Sequence, residues 1–183
     1  MAQNGQAETW CETVVRVLKA NEVRLVTYVP DNVMAPLIRL VEDDPFFTTI
    51  SPAREEEAVG ILCGAHMAGL RGILLMQTSG FATLANVLAS LVVPYQIPIL
   101  MMVSERGALG DFQFGQAVVA KTMRPVLTTL GMDQFTLQDA GQVEFVVDQM
   151  IKQAYCTRVG AAVILSPLLT KRPAPSRKEG AAA

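Results

Sequence analysis

The sequence predicts an α/β protein: a single three-layer domain with a parallel sheet flanked by helices. Three observations carry this expectation. Short apolar or β-branched runs alternate with amphipathic segments of helix length along the chain, the order that builds a parallel sheet. The runs Gly72–Gln77 and Ile97–Val103 are nearly uninterrupted in their apolar character, as expected of strands covered on both faces. The length, 183 residues, suits one domain with a sizeable core, with or without tails.

Residues 1–5 read as a loose end. Ala7 to Ala20 carries Trp10, Val14, Val17 and Leu18 at helical spacing, and Asn21-Glu22 breaks it. Arg24–Val29 is a buried strand ended by Pro30-Asp31-Asn32. Asp31 or Asn32 then caps a helix to about Val41, with Val33, Leu37, Ile38 and Leu40 inward. Asp43-Asp44-Pro45 is a turn and Phe47–Ile50 a short strand. Ser51 and Pro52 open the next helix, a capping hydroxyl followed by a residue whose fixed φ suits the first turn. That helix runs to about Gly69, with Ala58, Ile61, Leu62, Ala65, Met67 and Ala68 on buried faces. Each of Gly60, Gly64 and Gly69 costs about 1 kcal/mol against Ala in a helix, which close approach of another backbone would offset.

The strand Gly72–Gln77 passes through Thr78-Ser79-Gly80 into a helix from about Phe81 to Val93, closed by Pro94. Ile97–Val103 is the next strand. Pro98 must lie at its start, because proline cannot donate to the ladder. Ser104–Gly115 is a loop, and Gln116–Leu130 a helix disturbed at Pro125. Phe135–Leu137 is a short strand. Asp139 caps a helix over Ala140–Cys156, with Val143, Val146, Val147, Met150, Ile151 and Ala154 inward. Ala161–Leu165 is the last strand, stopped by Pro167. The domain is expected over residues 7–168. Residues 171–183 mix proline, charge and alanine and read as a disordered tail.

Composition narrows the function classes. Hydrophobic residues make up 51% and charged residues 17%, so part of the surface is expected to be covered by other subunits. A net charge of −2 leaves no electrostatic footprint for nucleic acid. No apolar run reaches the roughly 18 residues of a membrane span, and no secretory signal is visible, so a cytoplasmic protein is expected. Cys11, Cys63 and Cys156 are odd in number and far apart, forming neither a metal cluster nor a disulfide framework. With His66 as the single histidine, no metal site is expected within this chain.

Ligands of such sheets bind outside the carboxyl ends of the strands. Three loops there stand out: Val29–Asn32, Gln77–Gly80 and Ser104–Gly115. Arg54-Glu55-Glu56-Glu57 adds three acids at the same edge. They read either as first-turn acids stabilised by the helix dipole or as one acid forced into an apolar interface, where a carboxyl can exchange a proton near neutrality. Met76-Gln77-Thr78-Ser79-Gly80 reads either as a tight connection or as backbone amides set against an anion. It has neither GxGxxG nor P-loop spacing. Arg106 is a planar donor suited to carboxylate or sulfonate, or a surface arginine on a solvated loop. His66 lies about three turns beyond Glu55, on a similar face, and reads as structural or as a proton carrier. Ser79 and Ser104 lack a nucleophile elbow.

Arg54-Glu-Glu-Glu-Ala-Val-Gly-Ile61 with Gly64-Ala65 resembles the glutamate helix of the thiamine diphosphate-dependent decarboxylases. So do Val29-Pro-Asp-Asn32, Leu75-Met-Gln-Thr-Ser-Gly80, Asn86, Ser90-Leu91, Tyr95-Gln-Ile-Pro98, Arg106-Gly107, Gly110 and Gln116. Within that family these residues are similar to phosphonopyruvate decarboxylase and, by chain size, to the sulfopyruvate decarboxylase alpha subunits. The likeness is close over about Leu25–Gln116 and looser to Pro167.

The resemblance implies a pyrimidine-binding domain of the thiamine diphosphate-binding fold. Aligning the family's downstream glycine with Gly64 puts its catalytic glutamate at Glu55. Its implied role is to hydrogen-bond the aminopyrimidine ring of the cofactor. Pro30, Gln77, Thr78, Ser79 and Gly80 are the implied cofactor-binding residues. Asp31, Asn32, Arg106 and Gln116 are the implied residues toward an anionic 2-oxo acid. The family's Gly-Asp-Gly…Asn motif for diphosphate and Mg²⁺ is absent, and Gly110-Asp111-Phe112 is not it. A separate diphosphate-binding beta subunit is therefore expected to carry that motif in a hetero-oligomer. The implied reaction is decarboxylation of sulfopyruvate to sulfoacetaldehyde. The alternatives are a phosphonopyruvate or other 2-oxo acid decarboxylase or carboligase subunit, and a non-catalytic assembly subunit. Ala117 stands where the family often has histidine after the Gln116 position.

Overall fold

The computed structural model describes residues 8–171. In chain order the elements are α1 (Trp10–Ala20), β1 (Val23–Tyr28), α2 (Ala35–Glu42), β2 (Thr48–Ile50), α3 (Glu55–Met67) and β3 (Arg71–Gln77). There follow α4 (Thr78–Ala82), α5 (Ala85–Val87), β4 (Leu100–Ser104), α6 (Ala117–Thr129), β5 (Asp133–Leu137), α7 (Val143–Thr157), β6 (Ala161–Leu165) and α8 (Pro167–Thr170). The expected loose end at residues 1–5, the start at Ala7 and the tail from residue 172 lie outside the described residues.

The six strands form one parallel sheet in the order β2-β1-β3-β4-β6-β5. Side chains alternate along a strand, so each central strand feeds two layers. Val26, Ile73, Leu75, Leu100, Met102 and Val163 pack with α1, α2 and α7. Their neighbours Leu25, Leu74, Met76, Met101, Val103 and Ile164 pack with α3, α6 and the α4–α5 segment. The parallel three-layer architecture expected from the sequence is what the chain adopts.

The departures have local causes. Thr9 and Glu12 cap each other's amides, which starts α1 at Trp10. The helix expected from Ser51 begins at Glu55, for neither Ser51 nor Arg54 caps it. Instead the Glu57 carboxylate reaches back to the Ala53 amide at 3.1 Å. The three acids are thus the first turn itself. Met67 and Ala68, expected inward, are exposed, and Val59 and Cys63 are buried in their place. The helix is small or apolar nearly all round, so spacing alone does not single out its inward face. A Cβ built at Gly60 or Gly64 meets nothing within 4 Å, so no described element of this chain approaches them.

No turn separates β3 from the helix after it: α4 begins at Thr78, the residue after Gln77. The single helix expected over 81–93 is broken. α4 ends at Ala82, and a π-helical turn spans Leu88–Val92. At the break the Thr83 hydroxyl donates to the Gly80 carbonyl (2.9 Å), a local bond that competes with the helix ladder. β4 starts at Leu100, so Pro98 lies ahead of the strand, and β5 is two residues longer than expected. α6 runs continuously through the exposed Pro125. Pro167 does not merely stop β6. It takes the first position of α8, behind Ser166, whose hydroxyl caps the Leu168 amide.

Candidate active site

The strand order places the site. β1 leads outward to β2, and the chain then crosses back to β3 on the other side of β1. A second reversal occurs between β4 and β6, because the chain visits β5 at the far edge first. In doubly wound sheets the crevice at the carboxyl ends beside such reversals is where ligands bind. Residues 29–32, 77–80, 105–116 and 166–171 all issue from those ends.

A buried charge network ties these connections together. Asp31, whose side chain is 2% exposed, accepts at Oδ2 from the amides of Val33 (3.2 Å) and Met34 (3.3 Å) and the Ser104 hydroxyl (2.7 Å). Its Oδ1 takes Arg106 Nη1 at 2.8 Å. Arg106 Nε donates to Asp111 Oδ2 at 2.8 Å, and the Gly107 amide joins the same oxygen at 3.0 Å. Lys171 Nζ reaches Asp111 Oδ1 at 2.7 Å and the Gly110 carbonyl at 3.1 Å. Thr78 is fully buried; its hydroxyl donates to the Ser104 carbonyl (3.1 Å) and accepts from the Arg106 amide (2.9 Å). Burial disfavours the charge on Arg106, but Asp111 and Asp31 outweigh it and raise the guanidinium above its ordinary value.

Gln116 is brought back to this edge by the helical turn Phe114–Gln116. Its Nε2 donates to Gln77 Oε1 (3.2 Å) and Ser79 Oγ (3.3 Å). Its Oε1 is buried without a hydrogen-bond partner. Gly107, at φ +73°, lies under it: a Cβ there would stand 2.4 Å from the Gln116 carbonyl carbon.

The three acids of α3 separate cleanly. Glu56 pairs with Arg54 at 3.1 Å, and Glu57 holds the Ala53 amide. Glu55 is half-buried and makes no hydrogen bond or ion pair among the described residues. Its carboxylate rests on Gly80, in the volume a side chain there would occupy. Gly80 adjoins Ser79, so Glu55 and the Gln116 carboxamide, bonded to Ser79 through Nε2, meet the same dipeptide. Two acceptors without donors can receive a ligand that carries N–H groups.

The expected site residues therefore fall into two sets. Glu55, Gln77, Ser79, Gly80 and Gln116 meet around the first turn of α4. Asp31 and Arg106 are bonded inside the fold, and Arg106 Nη2 alone has no hydrogen-bond partner among the described residues. Thr78, an implied cofactor-binding residue, has its side chain fully enclosed. Pro30 and Asn32 are exposed at the rim of the β1 connection. His66 lies elsewhere, at the far end of α3, with its ring 6.4 Å from that of Tyr155. Sequence reading missed Asp111, Lys171 and Ser104. The positive-φ glycines at 107 and 110 were the available sign of a tight structure around Asp111. Among the described residues no cluster of His, Cys, Asp and Glu could hold a metal ion, and no helix is long and apolar enough to cross a membrane.

Comparison with known proteins adds three findings. The chain is 32% identical over 154 residues to the sulfopyruvate decarboxylase subunit alpha of Methanothermobacter thermautotrophicus, covering 84% of this chain and 93% of that one. It is 34% identical over 89 residues to the phosphonopyruvate decarboxylase of Streptomyces viridochromogenes, covering 49% of this chain but 22% of that protein. Among solved structures, a 2-oxoglutarate:ferredoxin oxidoreductase from Magnetococcus marinus superposes with a TM-score of 0.69 at 12% identity. That likeness covers 94% of this chain and 34% of the oxidoreductase chain, and it shows a shared fold. No protein-family model matches the chain.

Proposed function

Because the chain belongs to the family of the sulfopyruvate decarboxylase alpha subunits, among the thiamine diphosphate-dependent decarboxylases, we propose that it is the pyrimidine-binding half of a carboxy-lyase. The substrate is an anionic 2-oxo acid, with sulfopyruvate, giving sulfoacetaldehyde, as the first choice. The observation that carries this reading is the contrast among the three acids: Glu55 is the one without a hydrogen bond or ion pair among the described residues, and its carboxylate is seated on Gly80.

The residues present fit the cofactor's aminopyrimidine. Glu55 offers a carboxylate oxygen for a ring N–H, and the buried Gln116 Oε1 is a second acceptor left without a partner among the described residues. When bound, thiamine diphosphate supplies the electron sink that decarboxylation of a 2-oxo acid requires. Glu55 holds a proton on the ring at the bond it accepts. Gln77, Ser79, Gly80 and Pro30 would help hold the aminopyrimidine, with Thr78 fixing the 77–80 segment from inside through its bonds to Ser104 and Arg106. Asn32 and the unpaired Nη2 of Arg106 face the substrate's anionic end, while Asp31 holds Arg106 in place. Mg²⁺ and the diphosphate are held by a beta subunit carrying the Gly-Asp-Gly…Asn motif. The exposed Leu109, Phe112, Phe114 and Val118 around the site support a covering subunit. Three free cysteines fit a cytoplasmic complex.

The test is reconstitution. The chain is co-expressed with a candidate beta subunit, supplied with thiamine diphosphate and Mg²⁺, and assayed for CO₂ release from sulfopyruvate, phosphonopyruvate and pyruvate. Release from sulfopyruvate above the others is expected, and Glu55→Gln should assemble but lose most turnover. Undiminished release by Glu55→Gln, or by this chain without a partner, would overturn the assignment. Phosphonopyruvate as the preferred substrate would move the protein to the second reading, which the 34% identity to phosphonopyruvate decarboxylase favours.

A further inference from the structure

Asp111 lies at the centre of a latch that no short stretch of sequence contains. Its side chain is 3% exposed, and its two oxygens serve different partners. Oδ2 holds Arg106 Nε and the Gly107 amide, and Oδ1 holds Lys171, which also caps the Gly110 carbonyl. The latch therefore closes the 106–111 turn on itself and fastens it to the residue that follows α8. Gly107 lies against the Gln116 backbone with no room even for a methyl group. Any shift of the turn is transmitted to Gln116, because close-packed atoms do not move independently. Gln116 in turn makes its two side-chain bonds to Gln77 and Ser79.

We propose that Asp111 is a positioning residue: by gathering Arg106, the Gly107 amide and Lys171 on one buried carboxylate, it sets the seat of Gln116 and thereby the place of the Gln116 carboxamide beside Ser79. Lys171 is the outer half of the same device. The consequence for turnover rests on the function proposed above, whereas the placement of Gln116 does not.

The placement is read directly by NMR on the ¹⁵N-labelled full-length chain. The Gln116 side-chain NH₂ pair is assigned by its loss in Gln116→Ala. In Asp111→Asn the pair should move toward the position of an exposed glutamine. In Lys171→Ala it should move the same way by less, and Lys171→Arg should restore it. Lys152→Ala, which breaks the ion pair with Asp148 on α7, should leave it in place. In the reconstituted enzyme Asp111→Asn should lower kcat/KM by roughly ten- to a hundredfold, as a misplaced group does. The same change in a Gln116→Ala background should cost nothing further.

A folded Asp111→Asn protein whose Gln116 pair is unmoved would overturn the proposal, and so would losses that multiply in the double variant. Should Asp111→Asn fail to fold, Lys171→Ala decides, since the lysine side chain is 45% exposed and Asp111 keeps Arg106 and the Gly107 amide without it. Absence of CO₂ release from every 2-oxo acid would count against the functional reading alone, because the NMR result stands without it.

Discussion

The carboxylate of Glu55 fills the space that a side chain at Gly80 would need: a Cβ there would lie 2.1 Å from Oε1, 2.5 Å from Cδ and 2.8 Å from Cγ. Gly80 sits inside α4 and is not among the glycines at positive φ, so the backbone itself admits alanine. The three nearest atoms all belong to the flexible side chain of Glu55. Gly80→Ala should therefore fold, with the helix gaining up to about 1 kcal/mol, while Glu55 is pushed from its seat. We expect a melting temperature at or near that of the parent and a loss of CO₂ release comparable to Glu55→Gln. Parent-like turnover in Gly80→Ala would show that the position of Glu55 is not what the reaction needs.

Gly60 and Gly64 stand one turn apart on α3 with open space where their side chains would be. Within this chain alanine at either place should stabilise the helix by about 1 kcal/mol. If a partner subunit lies on this face, the added methyl groups meet its backbone. Gly60→Ala and Gly64→Ala are thus expected to raise the melting temperature of the isolated chain and to weaken assembly with the beta subunit in sedimentation. Variants that assemble as well as the parent would place the interface elsewhere.

The sheet was legible because its strands are short, apolar and bounded by Gly, Pro and Asp, which is a local signal. The strand order was not, since nothing local says that β5 lies outside β6. The start of α3 is hidden because Ser51-Pro52 imitates a capping pair, whereas the N-cap is Arg54, without a side-chain capping bond, and the Glu57 carboxylate folds back on the Ala53 amide. At the site, residue types alone left three acids open, and only the resemblance singled out Glu55. The geometry now adds that Glu56 and Glu57 are engaged elsewhere. Thr78 reads as a lining residue beside Ser79, yet it points inward to join β4. The Asp111–Lys171 pair was invisible: an ion pair between residues sixty positions apart leaves no periodic trace.

The three thiols should react in sequence order of exposure rather than of chemistry. Cys156 is exposed, while Cys11 and Cys63 are buried. Burial, with a smaller contribution from Glu12, pushes the Cys11 thiol up to about 12, and burial raises Cys63 as well. Near pH 8 the folded protein is expected to release one equivalent of chromophore from a disulfide reagent, and three in denaturant. Cys156→Ser should abolish the fast equivalent. Any fast thiol left in that variant would mean that the α1 or α3 layer opens on the time scale of labelling.

Asp111 makes the fold acid-sensitive, with a sign that follows from its surroundings. Burial alone would raise its carboxyl, but hydrogen bonds from Lys171, Arg106 and the Gly107 amide outweigh burial and hold it at about 2, below the ordinary 3.8. A carboxyl whose folded value lies below its unfolded value stabilises the fold fully above the unfolded value. That contribution is lost as the pH falls through the folded one. The window is therefore about pH 4 down to about pH 2, and the contribution is about 2 kcal/mol. Asparagine at 111 cannot titrate, so this part of the acid dependence should vanish while the variant is less stable near neutrality. Urea midpoints of parent and Asp111→Asn, followed from neutral pH to the lower end of the window, should converge as the pH falls. Curves that stay parallel would show that Asp111 does not carry the titration. Lys171→Ala should give an intermediate slope, since it removes one of the hydrogen bonds that depress Asp111 and leaves Arg106 and the Gly107 amide in place.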